Sequence, residues 1–535
     1  MKLKSTAWLL VLLLLVGLFP LQGQTQNLSE LLSALKPRNI GPANMSGRIG
    51  AIEVVSSDPR VIYVGGAAGG VWKSTDGGFT WKPIFDSQPV ASIGAITVFQ
   101  KNPNLVWVGT GESKPRNSVS VGRGVYRSLD GGQTWQFMGL EKTEKIARII
   151  IHPDNPDVVL VGALGATWGD SPDRGIYKTS DGGKTWRKVL YVNEKTGVAD
   201  LVMNPSNPNH LIAAMWEHRR YPWHFISGGP GSGIYVSKDG GETWTRLTEK
   251  NGLPSGELGR CGLAFAPGRP NIVYALIEAS KNGFYRSTDG GDTWTLVNNE
   301  PDIHNRPFYY SRVAVNPANE NIVYLLQTQL RVSEDGGRTF RPLTAFNQAH
   351  SDFHAMWLSP DGETLVVGND GGVVISYNRG QTWRFVENLP LGQFYHINYD
   401  LQIPYYVYGG LQDNGTWVGP AYVLNERAIY FYHWKNVGGG DGFDAAPDPE
   451  QPGCGYGMSQ GGNLYYFDIN LGITRSAVPT ESEVKHRFNW NAGFAVDPFN
   501  PSTIYLGSQF VHRSRDKGRS WEIISPDLTT NDPEK

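Results

Sequence analysis

The chain of 535 residues carries 48 Lys and Arg against 50 Asp and Glu, a net charge of −2 with the signs interspersed. That balance gives no electrostatic reason to expect nucleic acid or a membrane surface as a partner. Only Cys261 and Cys454 occur, so a small disulfide scaffold is excluded and the fold must rest on its core. A bridge between two such distant positions is the less favoured reading.

Lys2 and Lys4 precede an apolar run from Trp8 to Phe19, followed by Leu21-Gln22-Gly23. A positive start, a short apolar middle and a small-residue end predict a secretory signal peptide over residues 1–23. The run is too short for the roughly 20 residues that a bilayer needs, and no other segment approaches that length. The expectation is a soluble secreted or periplasmic protein with no membrane span in its mature form. Residues 24–48 read as a lead segment with a short helix at Leu28–Leu35.

Repeats dominate from residue 49 onward. The octet Ser74-Thr75-Asp76-Gly77-Gly78-Phe79-Thr80-Trp81 recurs around Asp130, Asp181, Asp239 and Asp289, in slightly worn form around Asp335 and Asn378, and in a late copy around Asp516. From Asp76 to Asn378 the copies lie 43 to 58 residues apart, the length of a four-stranded propeller blade. Each copy is preceded by an Asn/Asp-Pro-type turn and a β-branched run such as "DPRVIYVGG" or "NPDVVLVGA", and then by a second strand such as "GVWKS" or "GIYKT". Turn, strand, strand, octet and strand make a meander of about four strands. The prediction is an all-β protein, a β-propeller of about ten such units. Units one to seven occupy residues 49–390. Three weaker ones follow over 391–535, either starting a second ring or completing a single ring of ten. The closing "SPDLTTNDPEK" reads as a linker.

In such an octet the Ser/Thr and Asp side chains can bond neighbouring backbone N–H groups, and the paired glycines supply positive φ. A catalytic residue is not needed seven times over, so the octets are read as structural staples. They resemble the Asp-boxes, or BNR repeats, of sialidases, sortilin-type receptors and certain xyloglucan hydrolases. "GNDGG" (368–372), "YGGLQDNGTW" (408–417), "GGGDGF" (438–443), "RFNW" (487–490) and "ISPDLTTN" (524–531) further resemble large bacterial exported proteins described as BNR-repeat glycosyl-hydrolase-like or sortilin-N-terminal-like. The resemblance implies that the boxes lie on outer hairpins, with recognition at loops around the central channel.

Candidate site residues therefore come from irregular segments. "WEHRRYPWHF" (216–225) offers Trp216, Tyr221 and Trp223 for stacking on sugars, and Glu217, His218 and Arg219 for bonding hydroxyls. The following "GGPGSG" lacks a Lys-Ser/Thr, so no phosphate loop is expected. "HSDFH" places His350, Asp352 and His354 at alternate positions, a weak metal candidate against the plainer reading of polar channel lining. Glu112, Asp370, Asp413 and Asp441 are the weak candidates for acid–base chemistry, since a Gly-flanked Asp is more often a turn residue. The related xyloglucanases imply an early aspartate in a T-D-x-G-G motif, but here Gly66-Ala67-Ala68-Gly69-Gly70 puts Ala67 in its place. Sialidase chemistry would require an arginine triad, and nothing in the spacing of Arg38, Arg48, Arg116 and Arg123 shows that they converge. No serine-hydrolase elbow or zincin motif occurs, and no cofactor is expected. The favoured function is a binder of an extracellular polysaccharide or peptide at channel-face loops. The alternatives are an inverting, xyloglucanase-like glycoside hydrolase and a scaffold for exported proteins.

Overall fold

The computed structural model describes residues 32, 35, 37–41, 45–480 and 484–533. The leader expected over residues 1–23 lies outside them, as does most of the helix expected at Leu28–Leu35. Among the described residues no helix is long and apolar enough to cross a membrane.

Gly41–Lys535 is one unit, and among the described residues its strands form ten antiparallel sheets, nine of four strands and one of five. Each four-stranded sheet is a meander of consecutive strands. The first pairs Ile49–Val54, Ile62–Gly66, Val71–Ser74 and Lys82–Pro83 in that order. The fifth strand of the fourth sheet is Phe225–Ser227, which pairs with the long strand Asn207–Arg220.

The innermost strands of the first seven sheets begin at Ile49, Ile93, Ile146, Thr196, Cys261, Arg312 and Phe353. Each packs on the next, and the seventh packs on the first. A recurrent Val-Gly pair in the second strand makes room for this. A Cβ on Gly65 would meet Ile93 at 2.5 Å, one on Gly109 would meet Ile146 at 2.4 Å, and one on Gly162 would meet Val198 at 2.8 Å. One on Gly368, in the seventh sheet, would meet Ile49 of the first at 2.6 Å. Ile49, Ile52, Val54, Ile62 and Val64 share one core cluster with Val366, Val373 and Ile375. Around the closed channel the inner strands line a cavity of about 490 Å³.

The eighth to tenth sheets start at Phe394, Gly442 and Phe494. The inner strand Phe394–Tyr399 leaves most of its side chains exposed, where Ile49–Val54 is almost wholly buried.

The boxes sit between the third and fourth strands, at the outer hairpins. In the first, Ser74 Oγ donates to Asp76 Oδ1 (2.8 Å) and accepts from Gly78 N (2.8 Å), while Thr80 Oγ1 donates to Asp76 Oδ2 (2.6 Å). The same bonds recur around Asp130, Asp181, Asp239, Asp289, Asp335 and Asp516. The Thr134 hydroxyl and amide that face it draw the Asp130 carboxyl down to about 2. Each box also fastens a neighbour. Trp135 Nε1 donates to Ile84 O of the preceding sheet, and Trp186 Nε1 to Met138 O, both at 2.6 Å. Lys73 reaches Gly131 O (2.8 Å), Arg127 reaches Gly182 O (2.7 Å) and Lys178 reaches Gly240 O (2.9 Å). Arg384 of the seventh sheet closes the series on Gly77 O (2.6 Å). Cys261 and Cys454 are both buried free thiols.

Sheet-to-sheet packing at the Val-Gly steps makes ring closure sensitive to a single methyl. Gly368→Ala is expected to cost about 1–3 kcal/mol by overpacking, read as a lowered melting temperature. Gly493→Ala, whose Cβ meets nothing within 4 Å, serves as the control. Equal melting temperatures for the two variants would refute close packing as what joins the first and seventh sheets.

Candidate functional site

In the first, second, seventh and eighth sheets the turn after the second strand reaches one mouth of the channel, around Arg48. In the second sheet Val106–Thr110 leads to Glu112, in the seventh Leu365–Asn369 leads to Asp370, and in the eighth Tyr406–Leu411 leads to Asp413. In the first sheet the same turn holds Ala67, whose N–H is bonded to Arg48 O at 2.9 Å. Tight turns on separate sheets thus bring three carboxyls to one place, around a buried arginine from the start of the first sheet.

Arg48 Nε lies 2.7 Å from Glu112 Oε1. Its Nη1 donates to Tyr309 OH (2.7 Å) and lies 3.6 Å from Asp370 Oδ2 and 3.7 Å from Asp413 Oδ2. Its Nη2 donates to Gln393 Oε1 (3.1 Å) and Gln412 Oε1 (3.0 Å). Asp370 also accepts from Tyr309 OH (2.7 Å) and is 2.6 Å from His354 Nε2. Burial drives the His354 ring down to about 3, so it stays neutral, and we place its proton on Nε2, facing Asp370. Burial alone would raise the Asp370 carboxyl, but the His354 ring and the Arg48 charge outweigh it and hold Asp370 below the usual carboxylate range.

Asp413 is the opposite case. Burial and the adjacent Asp370 charge push it up to about 8, against the pull of Arg116. Two neighbouring carboxyls ionise apart, one losing its proton early and the other keeping it. Glu112 and Asp370 are sealed from solvent, whereas the Asp413 side chain remains 22% exposed. Its backbone N–H donates to Asp441 Oδ1 (2.8 Å), and Asp441 Oδ2 accepts from Trp490 Nε1 (2.8 Å). The Trp490 ring itself is 58% exposed, an indole held by its edge with its face open.

The structure therefore draws Glu112, Asp370, Asp413 and Asp441 together, though not as a hydrolase pair across a gap. The other candidates separate. Trp216 is fully buried, stacked on His218 at 4.4 Å and covered by Arg260 at 5.1 Å, so its face is closed to a sugar. This corrects the expectation for Trp216 and has a simple cause: the residue lies within a strand, not a loop. Glu217, His218, Arg219 and Tyr221 line a pocket of about 220 Å³ beside Asp170, though His218 is itself buried. Trp223 is 61% exposed.

His350, Asp352 and His354 do not converge on one point. His350 Nε2 faces Asp413 O (3.0 Å), Asp352 accepts from Tyr310 OH, and His354 faces Asp370. Among the described residues no group of three His, Cys, Asp or Glu side chains is arranged to hold a metal. Of the arginines, Arg48 and Arg116 do meet, at Asp370 and Asp413. Arg123 pairs with Glu141 instead. Tyr309 and Gln393 were missed because no motif contains them, and Gln412 and Trp490, although they lie in "YGGLQDNGTW" and "RFNW", were not singled out as site residues. The one available signal was the repeated second-strand turn, in which "GNDGG" and "LQDNG" carry Asp where "GAAGG" carries Ala.

The raised Asp413 carboxyl has a measurable consequence. Its ordinary value is 3.8 and its folded value about 8, so folding favours the protonated form. The stability this contributes is fully present below the ordinary value and is lost as pH rises through about 8. Chemical unfolding from about pH 4 to about pH 9 should show the native protein losing stability relative to Asp413→Asn, with the difference levelling off at the top. Parallel curves would mean that Asp413 is ionised in the folded protein throughout.

Residues 123–254 match the family model Sortilin-Vps10, described as Sortilin, neurotensin receptor 3. The chain is 25% identical over 245 residues to a xyloglucanase of Paenibacillus sp, covering 41% of this chain and 22% of that protein. It is 27% identical over 234 residues to xyloglucanase Xgh74A of Acetivibrio thermocellus, covering 38% and 26%. The matched stretches are about a quarter of the length of these curated relatives. Among solved structures, an ancestral GH74 enzyme aligns with a TM-score of 0.62 at 17% identity, covering 93% of this chain and 73% of its own. The GH74 enzyme of Niastella koreensis aligns with a TM-score of 0.53 at 16% identity, covering 92% and 80%. With its ten sheets and their stapled turns, the chain is an all-β propeller of the Asp-box, or BNR, type.

Proposed function

We propose that this propeller engages an extracellular or periplasmic polysaccharide at the mouth where Glu112, Asp370, Asp413 and Asp441 gather. One observation carries the reading. Of those four carboxyls only Asp413 reaches solvent, and beside it the exposed face of Trp490 is fixed edge-on by Asp441. An aromatic face and a protonated carboxyl, able both to donate and to accept, suit a sugar ring and its hydroxyls. The likeness to xyloglucanases supports a glycan as the ligand class. In the same reading, residues 391–535 form an arc of a second ring beside the first.

Glycosidic cleavage is the second reading, favoured by Asp413 alone. A carboxyl that holds its proton to about pH 8 is a proton donor at neutral pH. Inversion also needs a base roughly 6.5–9.5 Å away, leaving room for water. Asp370 instead shares the Arg48 and Arg116 guanidiniums with Asp413 and is fully buried, and Ala67 supplies no carboxyl. Binding without cleavage is therefore the reading argued here.

Trp490→Ala should weaken binding about tenfold, the equivalent of the roughly 1.4 kcal/mol that an aromatic face contributes. Titration calorimetry against a panel of plant and microbial oligosaccharides reads this out. A reducing-end assay on any bound glycan separates the two readings. Release of ends that disappears in Asp413→Asn would overturn binding in favour of hydrolysis, and a panel with no ligand would overturn both.

A further inference from the structure

Arg220 ends the long strand Asn207–Arg220 of the fourth sheet. Its guanidinium lies over Phe225 at 5.1 Å and Phe308 at 5.9 Å. Among the described residues no hydrogen bond or ion pair reaches that side chain, and its Nε is shut off from solvent. Arg306 lies over Phe308 (5.8 Å), Tyr309 (4.9 Å) and Tyr310 (5.6 Å), and Arg116 over Tyr309 (4.8 Å). Three guanidiniums thus flank the consecutive rings Phe308, Tyr309 and Tyr310. Burial and then the Arg116 charge lower the Arg220 pKa.

The acids at this mouth balance them only in part, and none pairs with Arg220. Glu112 is held by Arg48, and Asp370 is shared among Tyr309, His354, Arg48 and, at 3.9 Å, Arg116. Asp352 accepts from Tyr310 and stands 3.7 Å from Arg306. Asp413 stands 3.5 Å from Arg116 but keeps its proton to about pH 8. Among the described residues the Arg116 guanidinium makes no hydrogen bond, and that of Arg306 makes one long one, to Tyr310 OH at 3.4 Å. A guanidinium has five N–H donors in a planar fork, so most of the donors in this cluster are unspent. Ring faces hold guanidinium planes flat and leave their N–H edges free, the arrangement that grips a carboxylate with two parallel bonds. Like charges gathered with unspent donors are unfavourable until an anion arrives.

We propose that Arg116, Arg220 and Arg306 form a carboxylate-binding site, and that the polysaccharide engaged at this mouth is an acidic one bearing uronic-acid groups. The proposal rests on the polysaccharide reading above and departs from its neutral-glycan relatives in the charge of the ligand. Exposed Trp223, 6.0 Å from Tyr221 on the same hairpin, offers a ring face next to the site.

The test is titration calorimetry of the full chain with trigalacturonate and with neutral cellotriose, plus two control anions, inorganic phosphate and a short peptide with a free C-terminal carboxylate. Trigalacturonate should bind at least tenfold tighter than cellotriose and weaken as salt is raised. Arg220→Gln and Arg306→Gln should each lose about tenfold for the acid while leaving cellotriose unchanged, and Arg220→Lys should recover part of the loss. Arg220→Gln should melt no lower than the native protein, because an unpaired cation is removed; lower melting with unchanged trigalacturonate affinity would show a structural role and overturn the site. Equal affinity for cellotriose and trigalacturonate would overturn the acidic ligand while leaving polysaccharide binding intact. Phosphate or the peptide binding through Arg220 with neither saccharide bound would overturn both the uronate assignment and the polysaccharide reading.

Discussion

The burial of Arg48 is the constraint on which the functional end of the molecule depends. A guanidinium withdrawn from water is tolerated only where its donors are met, and removing one partner of such a set typically costs about 3–5 kcal/mol. Here the partners come from the second sheet (Glu112), the loop before the sixth (Tyr309), the seventh sheet (Asp370) and the eighth (Gln393, Gln412). Arg48 can be satisfied only after the first sheet has met the seventh, so ring closure and assembly of the mouth are one event. The same arginine lets Asp370 ionise deep in the protein, and the ionised Asp370 in turn keeps Asp413 protonated.

Two kinds of aspartate follow from this arrangement. Those in the boxes accept bonds from their own turns, titrate low, and lie at the outer hairpins where they tie each blade to the next. Those at the mouth occupy turns of similar composition, but their partners come from other sheets. The difference is one of environment and not of residue type, which is why the repeated octets hold the wheel together and the unrepeated turns are left for recognition.

Comparison with the xyloglucanases sharpens the same point. The scaffold is shared, whereas the first-sheet turn carries Ala67 where those enzymes are expected to carry a carboxyl. Acidic groups at this mouth come instead from Glu112, Asp370, Asp413 and Asp441, two of them sharing the Arg48 and Arg116 guanidiniums. Alongside them stands a row of arginines on Phe308, Tyr309 and Tyr310. A fold therefore transfers between these proteins more readily than a mechanism does.

The sequence by itself determined the all-β fold, the unit length and the role of the boxes. Each of these depends on contacts within some ten residues, such as Ser74 with Asp76 and Thr80, and local bonds repeat wherever the local sequence does. It also pointed to the four carboxyls, through turns that break the repeat. Trp216 misled, because an aromatic-rich run looks the same whether it lies in a loop or continues a strand into the core. Only the tertiary structure decided that Glu112, Asp370 and Asp413 share one guanidinium, that Asp413 keeps its proton, and that Arg116, Arg220 and Arg306 gather on three rings. Those relations join residues up to several hundred positions apart, and they exist only because ring closure sets the first and seventh sheets side by side with the eighth next to them.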